Sequence, residues 1–163
     1  MRWHVEGTYN PSDRGNSKTG NHMVLDEPLR TGRLVRDKGD PLCKPATKFW
    51  GLTGARAGEA RAVTCHQCVK QALRLGVDFD ATPSLDLGRS WSGTLMVKRG
   101  MSRSVALRSR WFRQPPVQPP EPPREEFILR QVQAIVPSVR AVRIDRLEPV
   151  GYNEVAGSAV VVP

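Results

Sequence analysis

The chain has 163 residues, and its sequence predicts an α+β protein. One amphipathic helix follows Thr64, and a second begins near Glu125. Between these helices, apolar and polar residues alternate from Gly93 to Phe112, as in a β-hairpin. Helices and alternating strands therefore occur in separate blocks, a pattern that favours an α+β architecture over a regular βαβ repeat.

Composition limits the class of protein. The chain has 25 Lys and Arg residues against 16 Asp and Glu, a net charge of +9. Hydrophobic residues make up 39%, less than the roughly 45–50% apolar share of typical domains, so one large core is not expected. No apolar run approaches the length of a membrane span, and the polar start lacks the apolar region of a secretory signal. The sequence predicts a cytoplasmic protein without a membrane partner.

The first half of the chain is predicted to hold a small module. Residues 1–20 are polar and rich in turn formers, so we expect a flexible N-terminal arm. Two short strands are expected near His22 and Leu34, and a loop over 49–60. A helix is predicted at about 65–75, where Thr64 and Gln67 match a capping box and Gly76 a left-handed stop. These elements define a module over 21–77.

The second half divides into three predicted segments. Residues 78–114 form a basic β-hairpin region. Six of the nine residues over 115–123 are proline, which predicts a stiff, extended spacer. Residues 124–163 are predicted to form a helix that ends at Pro137, followed by strands. The apolar tail from Val155 to Val162 is expected to pair with a strand of its own chain or of a neighbour, and we regard it as a surface for self-association or a protein partner.

The strongest chemical signal is the pair Cys65 and Cys68 at the start of the first helix. Two thiols at this spacing can bind one tetrahedral Zn²⁺, and a helix N-terminus stabilises thiolates. Cys43 is the remaining cysteine, so by elimination it is the third ligand. A histidine is expected to be the fourth, and His22 is the best placed. We predict a structural Zn²⁺ site formed by His22, Cys43, Cys65 and Cys68.

Other interpretations of these residues stay open. His66 lies within the Cys-x-x-Cys pair, where its short tether makes closure on the same ion awkward, and His4 lies far away in the arm. The alternative to a metal site is that Cys43 is a small buried hydrophobic residue and His22 a surface histidine. A redox Cys-x-x-Cys normally follows a strand in a thioredoxin-like frame, and the sequence shows no such frame.

The segments around these ligands resemble a known group of proteins. They read His22-Met-Val-Leu, Leu42-Cys43-Lys44-Pro45 and Val63-Thr64-Cys65-His66-Gln67-Cys68-Val69. This is similar to the small His-Cys-Cys-Cys zinc-finger-like proteins of actinobacteria and their phages. The resemblance covers about residues 21–77 and departs in the long spacer between His22 and Cys43. It implies zinc, and a protein of a bacterial host cell or a virion.

Basic and aromatic residues are interleaved between Ser84 and Arg113. A hairpin with arginines beside aromatic rings can hold phosphates and stack on bases. The alternative is that the aromatic residues are core and the arginines a solvated face. The candidate nucleic-acid-binding residues are Arg99, Arg103, Arg108, Arg110, Trp111 and Arg113.

These observations favour a non-enzymatic accessory protein. No phosphate-binding loop, nucleophile elbow or catalytic metal helix is present in the sequence, so no small-molecule substrate is expected. The leading interpretation is a zinc-binding protein that binds nucleic acid with weak sequence preference. The alternative is a structural or adaptor protein, a virion component or a binder of host proteins, in which zinc only stabilises the fold.

Overall fold

A computed structural model describes residues 1–9, 20–44, 51–56, 62–98, 103–110 and 119–163; for residues 8–9 and 51–56 it describes the backbone alone. The chain divides into two compact units, Met1–Asp78 and Phe79–Pro163. Both units contain helix and antiparallel strands. The predicted α+β class is therefore confirmed.

The first unit contains a three-stranded antiparallel sheet. Its central strand is β1 (Trp3–Tyr9), which pairs with β2 (Asn21–Leu25) and with β5 (Gly51–Arg56). The expectation of a flexible arm over residues 1–20 is wrong for β1. The loop expected over 49–60 likewise contains β5. The two errors have different reasons. In β1 the apolar Trp3, Val5 and Tyr9 alternate with polar residues, a strand pattern that the polar composition of residues 1–20 as a whole obscures. Strand β5 is glycine-rich and gains strand structure from its pairing with β1.

A small hairpin follows β2. It consists of β3 (Leu29–Thr31) and β4 (Leu34–Arg36), and Gly32 at its turn has a φ of 56°, which only glycine adopts readily. The chain then returns along β2: the Leu25 amide donates to the Asp40 carbonyl (3.0 Å), and the Leu42 amide donates to the Met23 carbonyl (2.8 Å). This return path carries residue 43 back toward the start of β2.

Helix α1 (His66–Arg74) completes the first unit. Its buried side chains are Cys68, Val69 and Ala72. The predicted stop is confirmed, since Gly76 has a φ of 66°. The predicted capping box is wrong: Cys65 occupies the N-cap position with no side-chain cap. The Thr64 hydroxyl instead accepts a hydrogen bond from the Asn21 amide at 2.7 Å.

The second unit is built on a five-stranded antiparallel sheet in the order β6-β7-β8-β10-β9. The predicted hairpin is present as β7 (Ser92–Met96) and β8 (Ser104–Arg110), joined through residues that include 99–102, outside the described part. The edge strands are β6 (Ser84–Asp86) and β9 (Ala141–Gly151), and β10 (Glu154–Val162) pairs with both β8 and β9. The tail thus pairs within its own chain. Strands from both of the predicted segments, 78–114 and 124–163, form this one sheet.

Helix α2 (Glu125–Ile135) packs its apolar residues into the core of the second unit. Ile128, Val132 and Ile135 are buried, as are Leu95 and Leu107 of the sheet. The predicted C-terminal helix is confirmed, with Glu125 and Glu126 in its first turn.

Part of the proline-rich segment is fixed within the second unit by a hydrogen bond. The buried indole of Trp91 donates from Nε1 to the Glu121 carbonyl at 2.9 Å. Residues 115–118 lie outside the described part. Among the described residues, no helix is long and apolar enough to span a membrane.

Candidate metal centre

The start of β2 is joined to the start of α1 by backbone hydrogen bonds. The Asn21 carbonyl accepts from the amides of Thr64 (3.0 Å) and Cys65 (3.1 Å). The Asn21 side-chain amide also donates to the Ala62 carbonyl at 3.3 Å. His22 is the next residue along β2, so these bonds hold its ring beside the two thiols of the helix start.

Cys43 reaches the same place through the return path along β2. The Leu42 amide is bonded to Met23, and the Arg36 guanidinium donates to the carbonyl oxygens of Leu42 (3.2 Å) and Cys43 (3.1 Å). Leu42 and Met23 are fully buried, which anchors the backbone on either side of the ligands.

The four residues His22, Cys43, Cys65 and Cys68 converge on one point. One donor atom from each lies within 4.8 Å of all the others. His22 Nδ1 is 3.4 Å from Cys43 Sγ and 3.6 Å from Cys68 Sγ. Cys68 is fully buried, whereas the other three are half-buried. Three sulfurs and one imidazole nitrogen at this spacing form a cluster that can hold a metal ion.

The protons of this cluster are strongly coupled. Hydrogen bonds from Cys43 and Cys68 lower the pKa of the Cys65 thiol, and the neighbouring Cys43 and Cys65 raise the pKa of Cys68. Burial acts to lower the pKa of His22, but the contacts with Cys43 and Cys65 outweigh it and raise the value to about 9. Ionisation of Cys65 therefore opposes ionisation of Cys68.

The three histidines lie in different surroundings, and only one of them belongs to the cluster with the three cysteines. His66 is exposed on α1 and is not part of the cluster. His4 lies on β1, where Nδ1 is 2.8 Å from Asp26 and Nε2 is 3.3 Å from Glu6. Of the candidates for a fourth ligand, the structure brings only His22 to the three cysteines.

The candidate nucleic-acid-binding residues are only partly described. Arg108 and Arg110 are exposed on β8, and both form ion pairs with Glu154, Arg110 at 3.0 Å. These two guanidinium groups lower the pKa of that carboxyl. Arg103 is half-exposed just before β8. Arg99, Trp111 and Arg113 lie outside the described residues.

Comparison with known proteins gives one match. A family model described as "Domain of unknown function (DUF8336)" matches residues 14–76. The matched segment includes all four residues of the cluster and α1. No curated protein and no solved structure shows significant similarity to this chain.

Sequence reasoning missed the role of Asn21. Its amide, carbonyl and side chain together connect β2 to residues 62–65. No local pattern marks this residue, because its partners lie about forty positions away along the chain. Thr64, for example, is 43 positions from Asn21. The sequence signal for this part of the site was the spacing of Cys65 and Cys68, which indicates metal ligands but not the residue that positions them.

Proposed function

We propose that residues 21–77 form a structural zinc module. The observation that carries this proposal is the convergence of four donor atoms within 4.8 Å. Zinc favours such sulfur and nitrogen donors, with bonds of about 2.3 Å to sulfur and about 2.0–2.1 Å to nitrogen. A tetrahedron of those bonds separates sulfur from nitrogen by about 3.5–3.6 Å. The distances of 3.4 and 3.6 Å from His22 agree with that separation.

Four protein ligands leave zinc no open position for water. The ion in such a closed site stabilises a fold and does not activate a nucleophile. In this module it would link β2, the segment ending at Cys43, and the first turn of α1. We therefore assign the metal a structural role in a non-enzymatic protein.

Metal analysis of gently purified protein tests the module. We expect about one zinc per chain, and less than about half an equivalent would contradict the proposal. Cys65→Ser should lose the metal and unfold the module, because a ligand is removed from a closed site. His66→Ala is the matched control: it changes the adjacent exposed residue and should keep the full zinc content.

We further propose that the protein binds nucleic acid through non-specific electrostatic contacts. The excess of basic residues, a net charge of +9, supports a polyanionic partner, since neutralised phosphates release counterions. On the sheet of the second unit, Arg108 and Arg110 share the single carboxylate of Glu154, so that cluster keeps a net positive charge.

A salt titration with mixed DNA and RNA tests this binding. We expect affinity that falls steeply as salt is raised, and an absence of binding at about 50 mM salt would overturn the proposal. If the hairpin contributes, the Arg108→Ala, Arg110→Ala double variant has a flatter salt dependence than the unmodified protein.

The second candidate function is that of an adaptor or structural protein. It is favoured by the turn between β9 and β10, where Val150 is 58% exposed and Tyr152 is 78% exposed. Exposed apolar and aromatic side chains of this kind occur at protein interfaces. Protein that fails to bind nucleic acid but captures a partner, and loses it on Tyr152→Ala, would favour this alternative.

A further inference from the structure

Helix α1 separates its side chains into two faces. Cys68, Val69 and Ala72 point into the core of the first unit. A helix advances by about 100° per residue, so the opposite face carries residues that lie away from these three. Its members are polar; three are exposed (His66, Gln67 and Arg74) and two are half-buried (Lys70 and Gln71). We call these five residues the donor face, because each side chain offers N–H donors.

The donor face has no negative charge of its own. Helix α1 contains no Asp or Glu. Among the described residues, no ion pair involves Lys70 or Arg74. In the second unit, by contrast, the exposed Arg108 and Arg110 are both paired with Glu154. Lys70 and Arg74 are therefore more available to bind an external anion than Arg108 and Arg110 are.

We propose that the donor face lies in the major groove of duplex DNA. This inference rests on the proposed nucleic-acid binding and names its contact surface and partner. The B-DNA major groove is about 12 Å wide and admits one α-helix. Lys70 and Arg74 would hold phosphates on the groove wall. Gln67 and Gln71 carry the carboxamides that pair with adenine edges.

The metal cluster gives α1 a fixed position for this role. Cys65 immediately precedes the helix and Cys68 lies in its first turn. The Asn21 carbonyl holds the same end through the Thr64 and Cys65 amides. A helix anchored in this way presents His66 and Gln67 in one orientation, which lowers the ordering cost of docking.

The length of α1 also limits what it can read. Nine residues span about 13 Å, or about four base pairs at about 3.4 Å each. So short a contact supplies few base-specific hydrogen bonds. The inference is thus compatible with the weak sequence preference expected from the sequence.

The test compares two double variants of the full-length, zinc-loaded chain on a short mixed-sequence DNA duplex. Lys70→Ala, Arg74→Ala removes two charges from the donor face. Arg33→Ala, Lys38→Ala removes two charges from exposed positions around β4 in the same unit. Fluorescence anisotropy across a salt series gives the affinity and its salt slope, and zinc analysis confirms that each variant keeps its metal.

We expect the Lys70→Ala, Arg74→Ala variant to bind about tenfold more weakly. The slope of the logarithm of its binding constant against the logarithm of the salt concentration should be shallower by about two, one for each lost phosphate contact. The control variant should stay within about threefold of the unmodified chain, because Arg33 and Lys38 do not belong to the donor face and exposed charges outside a contact are largely screened. An RNA duplex should bind more weakly than DNA, since its major groove is too narrow for a helix.

Equal losses in the two double variants, or equal binding of RNA and DNA duplexes, would overturn this inference and leave the proposed nucleic-acid binding intact. No binding of the unmodified chain to either duplex or to single strands would overturn the proposed binding itself.

Discussion

Gly157 lies inside β10, opposite Leu107 of β8 and Leu147 of β9. A Cβ atom built at this position would overlap the carbonyl oxygen of Arg146 and lie 2.6 Å from Leu147 Cδ2. The oxygen belongs to the backbone of a paired strand, so it cannot move without disturbing the pairing. The absence of a side chain therefore permits the close approach of β9 and β10.

We predict that Gly157→Ala lowers the free energy of unfolding by about 1–3 kcal/mol, the usual cost of overpacking. Gly151→Ala is the control, because a Cβ there meets only Glu154 Cβ at 3.8 Å; its effect should stay within about 0.5 kcal/mol. Equal midpoints of the two variants in a urea titration would contradict the steric argument.

At the scale of single elements, helix α2 protects the edge of the sheet. Glu125 Oε1 accepts a hydrogen bond from the Ile144 amide of β9 at 2.7 Å. The other side of β9 pairs with β10, so this amide belongs to the outer edge of the sheet. Pro149 lies on the same strand and offers no amide donor. Both features reduce the tendency of β9 to pair with another chain.

We predict that Glu125→Ala lowers the free energy of unfolding by about 1 kcal/mol more than Glu126→Ala, since a hydrogen bond to a charged group is lost. Both residues lie in the first turn of α2, so both variants lose a similar interaction with the helix dipole. The Ile144 amide should also exchange faster with solvent in Glu125→Ala alone. Equal exchange rates in the two variants would show that this bond does not protect the edge.

Some of the helices and strands could be predicted from the sequence and others could not. Helices α1 and α2, the β7–β8 hairpin and the glycine stop at Gly76 were predictable, because each depends on residues a few positions apart. Strand β5 was not, since its glycine-rich sequence forms a strand by pairing with β1. Strand β1 does show strand alternation, at Trp3, Val5 and Tyr9, but the polar, turn-rich residues that follow it up to residue 20 obscure that pattern. The capping box failed because the Thr64 hydroxyl has a long-range partner in Asn21.

The candidate site was predictable for a different reason. Few residue types bind zinc, so three cysteines and three histidines left a small number of sets to consider. The spacing of Cys65 and Cys68 identified the centre of the cluster. Choosing His22 required that the chain return from Leu25 to Cys43, and the hydrogen bonds of Leu42 and Asp40 that produce this return have no signature in the sequence.

At the scale of the whole molecule, the two units differ in what stabilises them. The second unit has an apolar core that includes Leu95, Leu107, Ile128 and Val132. The first unit has its own core around Met23, Leu25 and Leu42, with the candidate metal cluster of one histidine and three cysteines beside it. A site of four protein ligands contributes its binding energy directly to folding.

We therefore predict that a chelator unfolds the first unit and leaves the second folded. Hydrogen exchange read by mass spectrometry should show lost protection within 20–44 and 62–78, and retained protection within 103–110 and 125–162. Adding zinc back should restore the first unit. Loss of protection in both units together, or in neither, would contradict an independent metal-dependent unit.

The strand order of the second unit also bears on how the protein is made by the ribosome. Strand β10 lies between β8 and β9, although it follows both in the chain; Arg110 and its partner Glu154 are 44 positions apart. During translation β8 and β9 are synthesised first, and both lack their shared pairing partner until β10 has been synthesised. One backbone edge of each strand then stays unpaired, so the interval before β10 appears is when the nascent chain is most prone to associate with others.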